Sequence, residues 1–454
     1  MRGQKLTVGI VSTNKFLTNI VKEILHHLGI SFEEIDNKTP VNFPCVILPV
    51  QKEEDFSIAS KLCQNEENIL VFDNICSIKS FCLALGGFLD QGQIANRSIE
   101  PKLSVIEFKL LENIKDCFFR LDLPLIRKWY WPSFTDACFV VTHDIDSLDP
   151  ILRFSELKGK IGLNWLKFIF NFIRKRTGQE IFKLVREENR RQIKSTFLFF
   201  PDYGKDHNKF LAILDLLKRM NFEIGLHASE FSYCNQNILE NEKKQLEELV
   251  DSDLKGIRQH QLNFLPPFTW RYQEKIGFNY DLSFSHNIDF GFRSDICFPY
   301  HPIDIIEKKR FNLIEIPTSF MDWTALYKDI NYDEIWSILM KLDDTIEKLH
   351  GCFVVNFHNS YQNQNFPLIE RLYSQLLDHV TKKNYWITTA GECTSWWLKR
   401  EKTELSAFFL KNTIKGNISS PLPIVIETTD EIIKLDLKKT SFSIKLNDNV
   451  NNPK

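Results

Sequence analysis

The feature that most constrains this chain is a recurrence. Short runs rich in β-branched and aromatic residues return along its middle: ACFVVTH (137–143), STFLFF (195–200), FEIGLH (222–227), FNLIEI (311–316), CFVVNFH (352–358) and YWITT (385–389). Segments whose apolar residues keep helical spacing separate most of them, over 208–220, 239–250, 333–349 and 367–382. Brief, fully apolar runs suit buried parallel strands, and parallel neighbours need a crossover between them, usually a helix. The alternation is long enough to wrap into a (β/α) barrel, where functional side chains gather at the C-terminal ends of the strands. Chemically capable residues stand there: Thr142-His143-Asp144-Ile145-Asp146, His227 and His358.

The flanks read differently. Residues 1–130 suggest a smaller α/β unit. LTVGIV (6–11) is a candidate strand, Ser12, Thr13 and Asn14 offer N-cap oxygens, and helical spacing continues to Leu28 and stops at Gly29. CVILPV (45–50) and ILVF (69–72) read as further strands of a parallel sheet. The turn after the first strand is STNK, not a glycine-rich phosphate loop, so the unit is expected to bind no cofactor and to act as a scaffold or docking domain. Residues 403–454 alternate apolar and polar positions in IVIE (424–427), EIIKLDL (431–437) and SFSIKL (441–446), with Lys438-Lys439-Thr440 as a turn. A small antiparallel β appendage with a frayed tail is expected. The barrel is assigned residues 131–402.

Composition excludes several classes. The 57 Lys+Arg and 59 Asp+Glu leave a net charge of −2, without the basic surplus of a nucleic-acid binder. The 43% hydrophobic content argues against disorder. No charge-free apolar run is long enough to span a bilayer. MRGQKLTVGIV shows no signal-peptide pattern, and the ten cysteines are scattered with no CxxC pair. Buried free thiols in a reducing, cytoplasmic setting are the expectation.

The individual residues speak softly. Asp144 and Asp146, two apart, could divide a metal-holding and a base role, or simply cap a turn. His227 ends an apolar strand, which places its imidazole at a barrel mouth, though strand-end histidines are often structural. Arg258, in GIRQH (256–260), could be a surface charge, or could orient a carboxylate through two parallel hydrogen bonds and lower its pKa. His358 could protonate a leaving amine, or could cap a strand end against a carbonyl.

Taken together and in order, THDID (142–146), EIGLH (223–227), GIRQH (256–260), YDLS (280–283) and VVNFH (354–358) resemble the five motifs of the NodB-type polysaccharide deacetylases, a family of metal-dependent carbohydrate esterases. The Trp131-Pro132 lead-in, Gly291-Phe292-Arg293, Glu315-Ile316-Pro317 and Trp396-Trp397 resemble a bacterial subgroup with a Thr-His-Asp-x-Asp first motif. The resemblance covers roughly 130–400. It implies a distorted (β/α) barrel that removes N-acetyl groups from a sugar of a cell-surface polysaccharide or its lipid-linked precursor, using a divalent metal, most often zinc. By motif position Asp144 is the implied general base, Asp146 and His227 metal ligands, Arg258 the orienter of Asp144, and His358 the general acid.

The chain departs from the family at two points. Ile145 separates the two Asp residues that are usually adjacent, so their roles could be exchanged. Phe231 stands where a second metal histidine usually lies. A catalytic zinc usually takes three protein ligands. His260 is the expected replacement, and His143 the lesser one, since strand alternation points it away from Asp144.

Residues 153–194 hold 12 Lys/Arg against 4 Asp/Glu, with an aromatic run just before Arg174-Lys175-Arg176. Segment 161–176 could lie on an anionic membrane surface, or could pack its aromatics on the barrel. Two other functions stay open on the sequence: a non-catalytic glycan-binding or assembly scaffold with a degenerate site, and a glycosyltransferase using Asp144 and Asp146.

Overall fold

A computed structural model describes residues 3–12, 14–35, 43–49, 52–63, 66–72, 78–88, 99–148, 179–362 and 366–446. The basic aromatic segment 161–176 lies outside them. The centre of the molecule is a ring of parallel strands: β1 (Ala137–Ile145), β2 (Thr196–Phe199), β3 (Glu223–Ala228), β4 (Gly256–Gln259), β5 (Tyr280–Asp281), β6 (Ile314–Glu315), β7 (Phe320–Met321), β8 (Cys352–Asn356) and β9 (Tyr385–Thr388). Their order is β6-β5-β4-β3-β2-β1-β8-β7, with β9 also on β1. All pair in parallel.

The fold is thus an α/β, distorted (β/α) barrel, and the distortion has visible causes. β1 is nine residues long and buried throughout. β8 takes one of its edges, while β9 (on 137–140) and β2 (on 142–145) share the other. Between β6 and β7 no ladder forms. The chain itself crosses the gap at 316–319, held by Ile316 N–H to the Asp281 carbonyl and Ser319 N–H to the Val354 carbonyl. The expected strand 311–316 is accordingly only two residues long. Because every strand runs the same way, the C-terminal ends of β1, β3, β4 and β8 open on one rim. Helices Gln179–Arg190, His207–Arg219, Gln236–Val250, Tyr332–Lys348, Pro367–Val380 and Ala390–Lys402 lie in the connections and after β9.

Ahead of the barrel, a second parallel sheet runs in the order 32–34, 8–10, 45–48, 69–71. Its first helix, Lys15–Leu28, starts where the Asn14 side chain accepts from Phe16 and Leu17 N–H, and stops at Gly29. Gly29 has φ +75, and a Cβ there would meet the Lys128 carbonyl oxygen at 2.1 Å, so only glycine fits.

After the barrel, the structure corrects one expectation. Lys438-Lys439-Thr440 does not close a hairpin. The strand before it, Ile432–Asp436, pairs with Pro423–Glu427, and the strand after it, Ser441–Lys445, pairs with Thr413–Ile418. Strands Leu405–Leu410 and Thr413–Ile418 escaped the sequence reading. The two small sheets also recruit earlier chain: Gln4–Lys5 joins Leu405–Leu410, and Leu125–Lys128 joins Pro423–Glu427. No helix among the described residues is long and apolar enough to cross a membrane.

Candidate metal and acid–base site

The rim at the C-terminal strand ends carries two linked clusters. The first is a donor triad. The side chains of Asp146, just past β1, His227 in β3 and His260, just past β4, each offer one ligand atom, and these atoms lie within 4.8 Å of one another. Asp146 Oδ1 is 3.2 Å from His227 Nε2 and 3.8 Å from His260 Nδ1. The two imidazole nitrogens are 3.1 Å apart. His227 Nδ1 lies 3.1 Å from the Arg258 carbonyl. Donating a proton there fixes the tautomer and turns the Nε2 lone pair into the site.

The fit to a cation can be judged from these atoms. Asp146 Oδ1 is a buried oxygen with no hydrogen-bond partner, a costly arrangement unless a positive charge faces it. One carboxylate and two imidazoles make a three-ligand set of the type a divalent zinc-like ion takes. Burial pushes the Asp146 pKa up. The adjacent His227, with the charges of His358 and His260, outweighs it, so the carboxylate stays ionised.

The second cluster is an acid–base pair. Asp144, in β1, is 3% exposed. Its Oδ1 accepts from Arg258 Nη1 at 2.7 Å and its Oδ2 from Asn356 Nδ2 at 2.8 Å. Burial raises its pKa. The Arg258 charge, with those of His227 and His358, prevails and holds the carboxyl well below the usual carboxylate range. His358 Nε2 lies 3.9 Å from Asp144 Oδ2. His358 Nδ1 is bonded to Asp322 Oδ1 at 2.6 Å, and Asp322 Oδ2 accepts the His358 backbone N–H at 2.8 Å. Burial lowers the His358 pKa, but the charge and hydrogen bond of Asp322, then Asp146 and Asp144, lift it to about 10. At neutral pH the rim therefore holds a carboxylate and an imidazolium side by side.

All six residues singled out by sequence (Asp144, Asp146, His227, Arg258, His260 and His358) meet at this rim. One detail differs. Arg258 does not clamp Asp144 through two parallel bonds. Its Nη2 donates to Thr318 Oγ1 at 2.9 Å and its Nε to the Leu282 carbonyl at 3.2 Å. Fully buried, the guanidinium spends its donors on three acceptors at once, and Asn356 supplies the second bond to Asp144.

Asn356, Asp322 and Thr318 escaped the sequence reading. Asn356 had a faint signal, since it lies two residues before His358 at the end of the same strand. His143 turns away from the cluster, as strand alternation required, to Glu188 Oε1 (2.6 Å) and the Phe357 carbonyl (2.7 Å). Phe231 is 64% exposed.

Other motif residues make supporting contacts. Ser283 Oγ accepts the Gln259 N–H at 2.8 Å and so fixes the chain between Arg258 and His260. Trp131 and Trp397 pack against each other in a tilted pair, ring centroids 5.1 Å apart. Arg293 lies over the Phe284 ring at 4.3 Å.

No family model and no curated protein matches the sequence. Solved structures show similarity in shape. A candidate polysaccharide deacetylase from Mycobacterium smegmatis aligns at 13% identity over 60% of this chain and 94% of its own, with a TM-score of 0.45. The Puue allantoinase aligns at 12% identity over 60% and 93%, TM-score 0.46. A candidate polysaccharide deacetylase from Pseudomonas aeruginosa aligns at 12% identity over 60% and 93%, TM-score 0.45.

Proposed function

We propose that the protein is a metal-dependent hydrolase that removes N-acetyl groups from a sugar of a cell-surface polysaccharide or its lipid-linked precursor. The observation that carries this reading is the convergence of Asp146, His227 and His260 beside the Asp144–Arg258 and His358–Asp322 pairs. Amide hydrolysis needs a base for water, an acid for the departing amine and stabilisation of a developing oxyanion.

A divalent ion held by Asp146, His227 and His260, zinc by the chemistry of the donors, would polarise the acetyl carbonyl and make water more acidic. Asp144, kept ionised by Arg258 and fixed by Asn356, takes the proton of the attacking water. His358, kept protonated by Asp322, delivers a proton to the nitrogen as the C–N bond breaks. Arg258 does not touch the substrate. It balances the charge of the base and sets its direction. The order of the five motifs supports the same assignment, with His260 doing the work of the histidine that Phe231 replaces.

The test is acetate release from N-acetylglucosamine oligomers by purified protein, after chelation and after zinc is returned. Activity is expected to vanish with chelator and return with zinc, and to be lost in Asp144→Asn and Asp146→Ala. Activity indifferent to both chelator and Asp146→Ala would end the proposal.

A further inference from the structure

At the opposite end of the barrel from this site, three sulfurs converge. Cys138 is the second residue of β1 and Cys352 the first of β8, and the strand register sets them directly opposite each other. Cys393, in the first turn of helix Ala390–Lys402, joins both. Its Sγ is 3.8 Å from that of Cys138 and 3.9 Å from that of Cys352, and the three sulfurs lie within 4.8 Å of one another. All three residues are 0% exposed. Six residues of extended strand separate Cys138 from Asp144, about 20 Å, so the two clusters are independent.

We propose that Cys138, Cys352 and Cys393 form a second metal site, one that takes a soft monovalent ion, copper(I). The proposal does not depend on the hydrolase reading.

The geometry sets the size of the ion. With two edges of 3.8 and 3.9 Å and the third within 4.8 Å, a point about 2.2–2.5 Å from all three sulfurs exists, close to the ~2.3 Å metal–thiolate bonds of known sites. The donor set selects the element. Structural zinc takes four ligands, whereas among the described residues this cluster offers three sulfurs, all on residues 0% exposed. Thiolate donors favour copper(I) among biological metals.

The local field helps too. Cys393 lies at the positive end of its helix, where a thiolate is favoured. The sulfurs come from three separate elements and, among the described residues, pair with one another. Loading is an exchange: each S–H that ionises releases its proton to solvent as an S–Cu bond forms. Neither sulfur nor copper changes oxidation state.

The experiment is an anaerobic titration of the full-length Asp146→Ala variant, whose rim triad is disabled, with copper(I). One equivalent per chain is expected to produce near-ultraviolet thiolate-to-copper absorption. In Cys393→Ala the affinity is expected to fall more than about 100-fold, beyond what loss of a mere supporting partner costs. Cys297→Ala serves as the control. Cys297 is a buried neighbour whose carbonyl accepts the Cys352 N–H at 2.8 Å but which lies outside the trio, so binding should be unchanged. Should Cys393→Ala fail to fold, X-ray absorption on the copper-loaded chain decides, with three sulfur neighbours at about 2.3 Å expected. Absence of the thiolate band, binding retained in Cys393→Ala, or two or fewer sulfurs at copper overturns the proposal.

Discussion

Replacing Arg258 by methionine probes the electrostatics at the heart of the rim. Arg258 is 0% exposed and Asp144 3%. The guanidinium satisfies Asp144 Oδ1, Thr318 Oγ1 and the Leu282 carbonyl together. Methionine keeps much of the stem and removes all three bonds. Breaking a buried ion pair from one side costs about 3–5 kcal/mol, because the partner charge stays behind unpaired. The cost should depend on pH in a definite direction. In the wild type the depressed Asp144 pKa contributes stability above the unfolded value near 3.9, lost only as pH falls through the folded value. Without Arg258 the effect of burial dominates and the carboxyl pKa rises. The variant then relieves its penalty by taking up a proton, so its deficit narrows between pH 7.5 and pH 5. Urea unfolding followed by far-ultraviolet circular dichroism at both pH values measures this. The double variant with Asp144→Asn should be more stable than Arg258→Met alone, since the stranded charge is gone. A deficit under ~1 kcal/mol at pH 7.5, the scale of an exposed ion pair, or one that widens on acidification, would refute the reasoning.

Three further outcomes are expected. In Asp322→Asn the His358 imidazole loses its main support, and histidine-selective NMR titration of metal-free protein should show its pKa falling from about 10 toward the ordinary value; an unmoved resonance contradicts the pairing. His260→Ala should weaken zinc binding more than about 100-fold by chelator competition, exceeding the effect of losing a supporting group, while His143→Ala, which faces Glu188, should leave it nearly unchanged. His27 is buried 2.7 Å from Glu107 and 3.5 Å from Glu23. Burial lowers its pKa, but the charge and hydrogen bond of Glu107, helped by Glu23, raise it to about 9. A raised histidine stabilises fully below its unfolded pKa of about 6.5 and loses that contribution as pH climbs through the folded value, a swing of ~3 kcal/mol. The gap in unfolding free energy between wild type and His27→Asn should therefore close between pH 6.5 and 9.5, and a constant gap argues against the pair.

The parts legible in sequence share one property: a local pattern with a geometric meaning. The buried run of β1 implied a covered parallel strand, Asn14 and Gly29 bracketed a helix, and alternation separated Asp144 from His143. His260 was legible as a ligand candidate because two residues after Arg258 it had to stand near the same strand end. Asp322 was not legible. It starts a six-residue helix 36 positions before His358, and no spacing rule joins them until the barrel closes. The single bond between Arg258 and Asp144 was hidden for a similar reason, since Thr318 and Leu282 compete for the guanidinium only once β5 and the 316–319 crossing are in place. At the C-terminus, Lys438-Lys439-Thr440 had the composition of a hairpin turn, but the partners on either side are set by distant strands.

Head and tail finish each other's sheets. Lys5 lies opposite Phe408, and Ile126 opposite Ile426. During synthesis the segment at 125–128 leaves the ribosome some three hundred residues before its partner at 423–427 exists. In the interval its backbone edge is a template open to any passing chain. Messages cut short near codon 402 would thus yield a product with an intact rim and two unfinished borders. Such fragments should cluster, and supplying the missing last fifty or so residues as a separate peptide should restore their solubility.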